Sequence, residues 1–125
     1  MVKLVYVVQR REDVSPEEFH RYWLDVHGPK VRSVAKVIRA RRYVQSHALD
    51  TPLNAALSKS RGMTGTCDGV AELWWDSLDE LRAGGASPEG VEAGRMLLAD
   101  EARFIDFARS TISLAEEHEI FDFTD

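Results

Sequence analysis

The sequence predicts an α+β domain built on a four-stranded antiparallel sheet with helices on one of its faces. Two observations lead to this prediction. Short runs rich in Val, Tyr and Trp alternate with segments that carry helix-start signals. Two of the four runs are apolar on both faces, and the other two are mixed. The chain has 125 residues, a length that suits one domain, and we expect that domain to span residues 1–125.

The four predicted strands fall into two kinds. Strands at roughly residues 2–9 and 69–77 are apolar on both faces, which is typical of strands covered on both sides. Strands at residues 38–47 and 109–121 have mixed faces, which suits the edges of a sheet. The first and third strands in the chain are therefore expected at the centre.

The best-marked helix follows the first strand. Ser15 is its predicted N-cap, Pro16 takes the first helical position, and Glu18 closes a capping box. Gly28 is expected to end this helix, and Pro29 to prevent its continuation and to restart a second short helix.

Three more helices are expected further along the chain. One begins at Thr51 inside a long connection that is otherwise rich in Gly, Ser and Thr. The next is capped by Ser77 and is expected to stop at Gly84 and Gly85, and the last opens at Ser87.

The order strand, helix, strand, strand, helix, strand is the split β-α-β pattern of ferredoxin-like folds. Helices in this βαββαβ fold cover one face of the sheet, yet the predicted strands carry apolar residues on the other face as well. We expect a second copy of the chain to cover that face in a two-fold homodimer.

Composition excludes several classes of function. The formal net charge of −5 argues against binding nucleic acid or an anionic membrane, since both favour a basic surface. Cys67 is the single cysteine, so no internal disulfide can form and a reducing compartment is expected. The apolar run at the N-terminus is too short to span a bilayer. Taken together, these features predict a cytoplasmic protein.

Four segments resemble the EthD domain family of the dimeric α+β-barrel superfamily, and the likeness runs from residue 3 to about 112. They are "VYVVQRREDVSPEEFHRYWLDVHGPKVR", "RYVQSH", "DGVAELWWDS" and "DEARFID". The resemblance implies a ferredoxin-like subunit, a barrel formed by two sheets across a dimer, and a cleft between sheet and helices. Superfamily members include cofactor-free monooxygenases, polyketide cyclases, dehydratases, lactone isomerases and haem-degrading enzymes. A shared fold does not select among these activities.

His27 is the first candidate for catalysis, because it lies at the predicted C-terminus of the first helix. There the helix dipole would favour the imidazolium by about 0.3–1 kcal/mol and keep the pKa near or above neutral, as proton transfer requires. The alternative is a cap on the last carbonyls.

His20 lies about 10 Å from His27 along the helix, which is too far for both to bind one metal ion, so no metal site is expected. Asp100 and Asp106 are expected to cap a helix end and the start of the last strand.

Tyr43, Gln45 and His47 alternate on one face of the second strand. They would place a phenol, an amide and an imidazole in a row. If this face points toward the helices, it lines the cleft. The alternative is an edge-strand face in water or at the dimer seam.

Glu72 is a carboxylate within an otherwise apolar strand. Buried without a partner, it would have a raised pKa and could act as a general acid or base. A salt bridge to Arg41 or Arg42 is the alternative. Trp74 on the same face and Trp23 on the helix could wall an aromatic pocket, with core packing as the alternative role for both.

These residues predict a small enzyme that acts on an apolar or aromatic carbonyl compound without a cofactor. His27 would carry a proton, while Tyr43 and His47 would orient an oxygen of the substrate. The walls of the cleft would be Trp23, Trp74 and aliphatic residues. Proton abstraction beside a carbonyl would lead to elimination, isomerisation or reaction with oxygen. The alternatives are a non-catalytic dimer that binds a hydrophobic metabolite, or a haem protein with His27, His47 or His118 as the axial ligand.

Overall fold

The computed structural model describes residues 1–124 and contains one four-stranded antiparallel sheet with the strand order β2-β3-β1-β4. The strands are β1 (Val2–Val8), β2 (Arg42–His47), β3 (Gly69–Trp75) and β4 (Thr111–Glu116). The strands predicted as central lie at the centre, and those predicted as edges lie at the edges. The ferredoxin-like α+β prediction is therefore confirmed.

Helices connect the strands and cover one face of the sheet. Within residues 1–124 the α-helices are α1 (Pro16–Tyr22), α2 (Gly28–Val34), α3 (Pro52–Ser60), α4 (Leu78–Ala86) and α5 (Pro88–Glu101). A π-helical turn, Trp23–His27, joins α1 to α2, and a 3₁₀ turn, Phe107–Arg109, precedes β4. No helix in this part of the chain is long and apolar enough to cross a membrane.

All four strands are shorter than predicted, β1 and β3 by one or two residues and β2 and β4 by more. β2 begins at Arg42 rather than at residue 38, because Arg39 adopts a left-handed conformation with φ of 63° that interrupts an extended chain. β4 ends at Glu116, where its pairing with β1 runs out at Val2.

Gly28 and Pro29 do not end the first helical segment, so that prediction is wrong. Gly28 keeps right-handed helical angles (φ −52°, ψ −51°), and its N–H donates to the carbonyl of Trp23 in the π turn. Pro29 offers no N–H and would crowd the carbonyl four residues earlier in a regular α-helix. We attribute the wide π turn just before it to relief of that conflict. His27 therefore lies inside a continuous helical segment rather than at its end.

The core lies between the helix-covered face of the sheet and the segment from α1 to the π turn. Phe19, Trp23, Phe104 and Val8 are its fully buried side chains. The ring of Phe19 lies 5.4 Å from that of Trp23 and 5.7 Å from that of Phe104, measured between centroids. Phe104 follows α5 directly, so this packing holds the C-terminal end of α5 against the core.

The other face of the sheet has no helix over it within residues 1–124. The strand register places four valines there, namely Val5, Val7, Val44 and Val70, together with Trp74, which its own chain already buries to 7% exposure. Arg42 lies over the ring of Trp74, with 4.5 Å between the guanidinium carbon and the centroid. An apolar surface of this kind is what the sequence analysis expected a second copy to cover.

Two adjacent glycines in α4 provide a matched test of the packing. They do not stop the helix as predicted, since α4 runs to Ala86. A Cβ atom on Gly84 would lie 2.1 Å from the carbonyl oxygen of Ile38, whereas no described atom lies within 4 Å of a Cβ on Gly85.

We expect Gly84→Ala to lower the free energy of unfolding by about 1–3 kcal/mol, because a backbone atom must move. Gly85→Ala should raise it by up to about 1 kcal/mol, because alanine favours the helix. Urea unfolding of both variants measures the difference. A Gly84→Ala protein as stable as the wild type would show that this contact is not close.

Candidate active site

A small cavity lies between the helix-covered face of the sheet and the helices, with a volume of about 60 Å³. Its lining is mainly apolar, with four polar residues that converge on it. The lining residues are Tyr6, Val8, Trp23, His27, Val31, Tyr43, Ala71, Leu73, Leu97, Glu101 and Ile105. The lining has the composition usual for a small-molecule site, namely apolar walls with a few convergent polar groups, but the volume is below the roughly 300–1,000 Å³ of such sites, so a substrate would have to widen it.

His27 and Asp100 form a buried pair beside this cavity. The His27 Nδ1 atom lies 2.7 Å from Oδ2 of Asp100, and the two residues are only 5% and 3% exposed. The other carboxylate oxygen accepts hydrogen bonds from Tyr22 (2.5 Å) and Lys30 (2.7 Å). Burial alone would raise the pKa of Asp100, but the bonds from Lys30, Tyr22 and His27 together hold it below its ordinary value. Asp100 is therefore an ionised carboxylate at neutral pH.

The tautomer of His27 follows from this partner. An ionised carboxylate only accepts hydrogen bonds, so Nδ1 of His27 carries the proton and Nε2 carries the lone pair. No hydrogen bond engages Nε2 within residues 1–124, and no buried side-chain nitrogen or oxygen there lacks a partner. Nε2 therefore keeps accessible surface, in a residue that lines the cavity.

Burial sets the protonation state of His27. Desolvation lowers the pKa of His27 below its ordinary value of 6.5, while the bond and the charge of Asp100 act in the opposite direction. The prediction of a pKa near or above neutral is therefore wrong, because His27 is buried within a helical segment rather than exposed at a helix end. At neutral pH the imidazole is uncharged, which is the form a general base needs.

A chain of hydrogen bonds runs along the face of β2 that turns toward the helices. Gln45 Nε2 donates to the hydroxyl of Tyr43 (2.8 Å) and to the carbonyl of Trp23 (2.7 Å). Gln45 Oε1 lies 2.8 Å from Nε2 of His47, and Nδ1 of His47 lies 2.8 Å from Nδ1 of His20. Of the three predicted β2 residues, Tyr43 lines the cavity. Gln45 and His47 do not line it and belong to the hydrogen-bond chain that ends at Tyr43.

Tyr43 is held as a hydrogen-bond donor toward the cavity. Its oxygen accepts from Gln45, which leaves its own O–H free to bond a ligand. Burial raises the pKa of Tyr43 to about 12, so the hydroxyl stays protonated across the physiological range.

Glu101 and Tyr6 complete the polar lining, and the sequence analysis did not single them out. Glu101 ends α5, and burial raises its pKa to about 6, with the charge of Asp100 adding to the effect and the hydrogen bond to Tyr6 opposing it. The sequence signal was present, since two consecutive acidic residues in the last turn of a helix oppose its dipole. Asp100 was expected to cap a helix end, but its carboxylate turns inward.

Glu72 and Trp74 do not join this site, so the expectation that they share a cleft with Trp23 is wrong. They alternate along β3 with two cavity-lining residues and therefore point to the opposite face of the sheet. Glu72 makes a 2.6 Å salt bridge to Lys3, rather than to either arginine considered from the sequence. Trp23 does line the cavity, as expected for an aromatic wall.

No group of three or more His, Cys, Asp or Glu residues within residues 1–124 has the geometry to hold a metal ion. His20 and His27 do not converge, because each bonds a different partner: His47 for the first and Asp100 for the second.

The fold and the buried pair define a ferredoxin-like α+β protein with ionisable groups between its sheet and helices. The family model of the EthD domain matches residues 11–108, and the chain belongs to this family. No protein among those with curated descriptions matches the chain.

Solved structures share the fold at low sequence identity. An ethyl tert-butyl ether degradation (EthD) family protein from Bacillus halodurans C-125 is 20% identical, with a TM-score of 0.63 over 94% of this chain and 99% of that one. A dimeric ferredoxin-like protein of unknown function from Thermobifida fusca YX is 15% identical, with a TM-score of 0.57 over 91% and 88%. SnoaB, a cofactor-independent oxygenase from Streptomyces nogalater, is 15% identical, with a TM-score of 0.55 over 94% and 93%.

The raised pKa of Glu101 makes a prediction about stability. The folded state holds the Glu101 proton more tightly (pKa about 6) than an exposed glutamate does (4.5). This contributes stability below about pH 4.5, which is lost as the pH rises through 6. Glutamine cannot ionise, so Glu101→Gln should not lose this stability. We expect its free energy of unfolding, relative to that of the wild type, to be about 1–2 kcal/mol higher at pH 7.5 than at pH 4.

Urea unfolding of the two proteins at both pH values measures this gain. Glu92→Gln is the control, because Glu92 lies exposed on the same helix, and its difference from the wild type should not change over this range. A Glu101→Gln difference that is equally constant would show that Glu101 ionises as an exposed group.

Proposed function

We propose that this protein is a small-molecule enzyme that removes a proton from the carbon beside a carbonyl group without a cofactor. The observation that carries the proposal is the buried pair of His27 and Asp100 beside an apolar cavity, because Asp100 engages Nδ1 and leaves Nε2 as the ring nitrogen available to a ligand. A neutral imidazole is an effective general base, and a carboxylate behind it stabilises the imidazolium that forms.

Tyr43 supplies the second half of the reaction. When His27 takes the proton, the C–H bond breaks, an N–H bond forms, and the electron pair moves toward the carbonyl oxygen. The O–H of Tyr43 is free to donate to that oxygen as negative charge develops on it. His47 and Gln45 act as positioning residues, because His47 bonds the amide oxygen of Gln45 and Gln45 donates to the hydroxyl oxygen of Tyr43.

Glu101 is the group that can move a proton at the other side of the cavity. Its pKa of about 6 lies close to neutral pH, so it exchanges protons readily under physiological conditions. Return of a proton to another atom of the same substrate would give isomerisation, loss of a leaving group would give elimination, and capture by oxygen would give oxygenation.

The solved relatives support this proposal by analogy. SnoaB is described as a cofactor-independent oxygenase, and it shares the fold of this chain. The Thermobifida protein is described as dimeric. We propose that this chain also forms a homodimer, in which a second copy covers the apolar sheet face and the two sheets pair into a barrel.

A non-catalytic carrier explains the site less well. A carrier of a hydrophobic metabolite needs apolar volume, whereas this site holds an ionised carboxylate that is 3% exposed. Burying such a charge costs several kcal/mol before its partners are counted.

Deuterium exchange tests the proposed step without knowledge of the full reaction. The protein is incubated in D₂O with a panel of small ketones and 1,3-dicarbonyl compounds, and mass spectrometry follows deuterium uptake at the carbon beside the carbonyl. We expect His27→Ala to slow the uptake by about 10²–10⁴-fold, the usual contribution of a general base. Asp100→Asn should slow it less.

Arg82→Ala is the control, because the Arg82 side chain is 71% exposed on α4, away from the cavity, and its loss should leave the rate unchanged. Exchange at the wild-type rate in His27→Ala would contradict the proposal, and so would an equal loss in Arg82→Ala.

A further inference from the structure

The C-terminal segment, residues 117–124, exposes an unusual run of apolar side chains. Ile120, Phe121 and Phe123 are exposed by 71% to 86%. The two phenyl rings stack on each other, with 5.0 Å between centroids, and the segment forms neither helix nor strand. Three large apolar side chains this open to water within four residues indicate a surface that another molecule covers.

A complementary apolar surface lies around α3. Leu53 and Leu57 lie one turn apart on α3 and are exposed, and so is Leu49 just before the helix; together they are called the leucine stripe. None of the described residues of α3 is buried. A groove of about 360 Å³ lies between α3 and the ends of β2 and β3, and its lining includes Leu57, Cys67 and Val70. We call it the α3 groove.

The groove side carries no net charge that would repel the acidic segment. The C-terminal segment and the residue before it contain four carboxylates, namely Glu116, Glu117, Glu119 and Asp122. Between Leu49 and Val70, the two acidic residues Asp50 and Asp68 are balanced by Lys59 and Arg61. Apolar contact rather than charge therefore favours the pairing of these two surfaces.

The sheet register places the two surfaces at opposite ends of one molecule. The C-terminal segment leaves the sheet where Glu116 pairs with Val2, whereas the α3 groove lies where Gly69 pairs with Val8. A second copy that covers the open sheet face with its strands reversed brings its C-terminal segment to the groove end. Eight residues reach about 26 Å when extended, which is about the length of a strand in this sheet.

We propose that the C-terminal segment of one copy extends into the α3 groove of the second copy, with Ile120, Phe121 and Phe123 against its leucine stripe, while Glu117 stays bonded to Trp74 of its own chain. The exchange is mutual, as two-fold symmetry requires. It rests on the homodimer proposed above and adds a role for the partner in the site. His47 lines the same groove, so the partner's segment would shield the outer end of the hydrogen-bond chain that holds Tyr43.

A disulfide cross-link tests this exchange. Cys67 lines the α3 groove and is the single cysteine of the chain, and Thr124 is exposed at the end of the segment. We expect mild oxidation of Thr124→Cys to give a disulfide-linked dimer as the main product on a denaturing gel. The wild type, which carries Cys67 alone, should give no such band.

One control variant and two contradicting outcomes separate the exchange from its alternatives. Cys67→Ser combined with Thr124→Cys should remain unlinked alone but should link to wild-type chains after mixing. A linked dimer formed by that double variant alone would show that the two segments meet each other instead. A linked monomer would show that each segment folds back on its own chain, and either result would overturn the proposal.

Sedimentation separates failure of the exchange from failure of the dimer. We expect Phe121→Ser combined with Phe123→Ser to raise the dimer Kd at least tenfold. Leu98→Ser, which removes an exposed side chain of α5, should leave the Kd unchanged. A stable dimer without the Cys67 cross-link would overturn the exchange and leave the dimer in place, whereas a monomeric wild-type protein would overturn both.

Discussion

Burying a carboxylate without partners costs several kcal/mol, and the structure meets this cost at Asp100 with three donors from the first helical segment. Tyr22, His27 and Lys30 lie on successive turns, and all three reach the same carboxyl group at the end of α5. The charge of Asp100 therefore ties α5 to the helices before β2. It also sets the tautomer of His27, on which the chemistry of the cavity depends.

The π turn places these donors. In a regular α-helix the ring of Pro29 would clash with the carbonyl four residues earlier, so the helix widens between Trp23 and His27. Gln45 donates to the carbonyl of Trp23, and a Cβ on Gly28 would lie 3.4 Å from the Gln45 amide nitrogen. This distance is close to an ordinary van der Waals contact, so the hydrogen bond from Gln45 to the Trp23 carbonyl, rather than the lack of a side chain at Gly28, holds β2 against the helix and Tyr43 beside the cavity.

The fold could be predicted from the sequence because strand burial is visible in the alternation of residues. Two strands with two apolar faces had to be central in a four-stranded sheet, and they are. The face of β2 that carries Tyr43 was left open, because alternation shows which residues share a face but not which face meets the helices. The same ambiguity placed Glu72 in the site, and the register with β1 moved it to the opposite face.

The pair of His27 and Asp100 could not be read from the sequence, since 73 residues separate its members. Gly-Pro is also the usual signature of a helix end, so the sequence suggested an exposed histidine with a raised pKa. Local rules failed at this segment because tertiary contacts to Asp100 and Gln45 stabilise a conformation that isolated sequence patterns disfavour. Such failures are expected where a segment serves a site.

The central claim is that Asp100 holds a neutral His27 with its Nε2 lone pair toward the cavity. Long-range ¹H–¹⁵N NMR of the histidine rings tests it directly, with His27→Gln to assign the signals. The account predicts a proton on Nδ1 at pH 8, a pKa of His27 below 6.5, and a further fall of that pKa in Asp100→Asn. A proton on Nε2, or a pKa above 6.5, would contradict it.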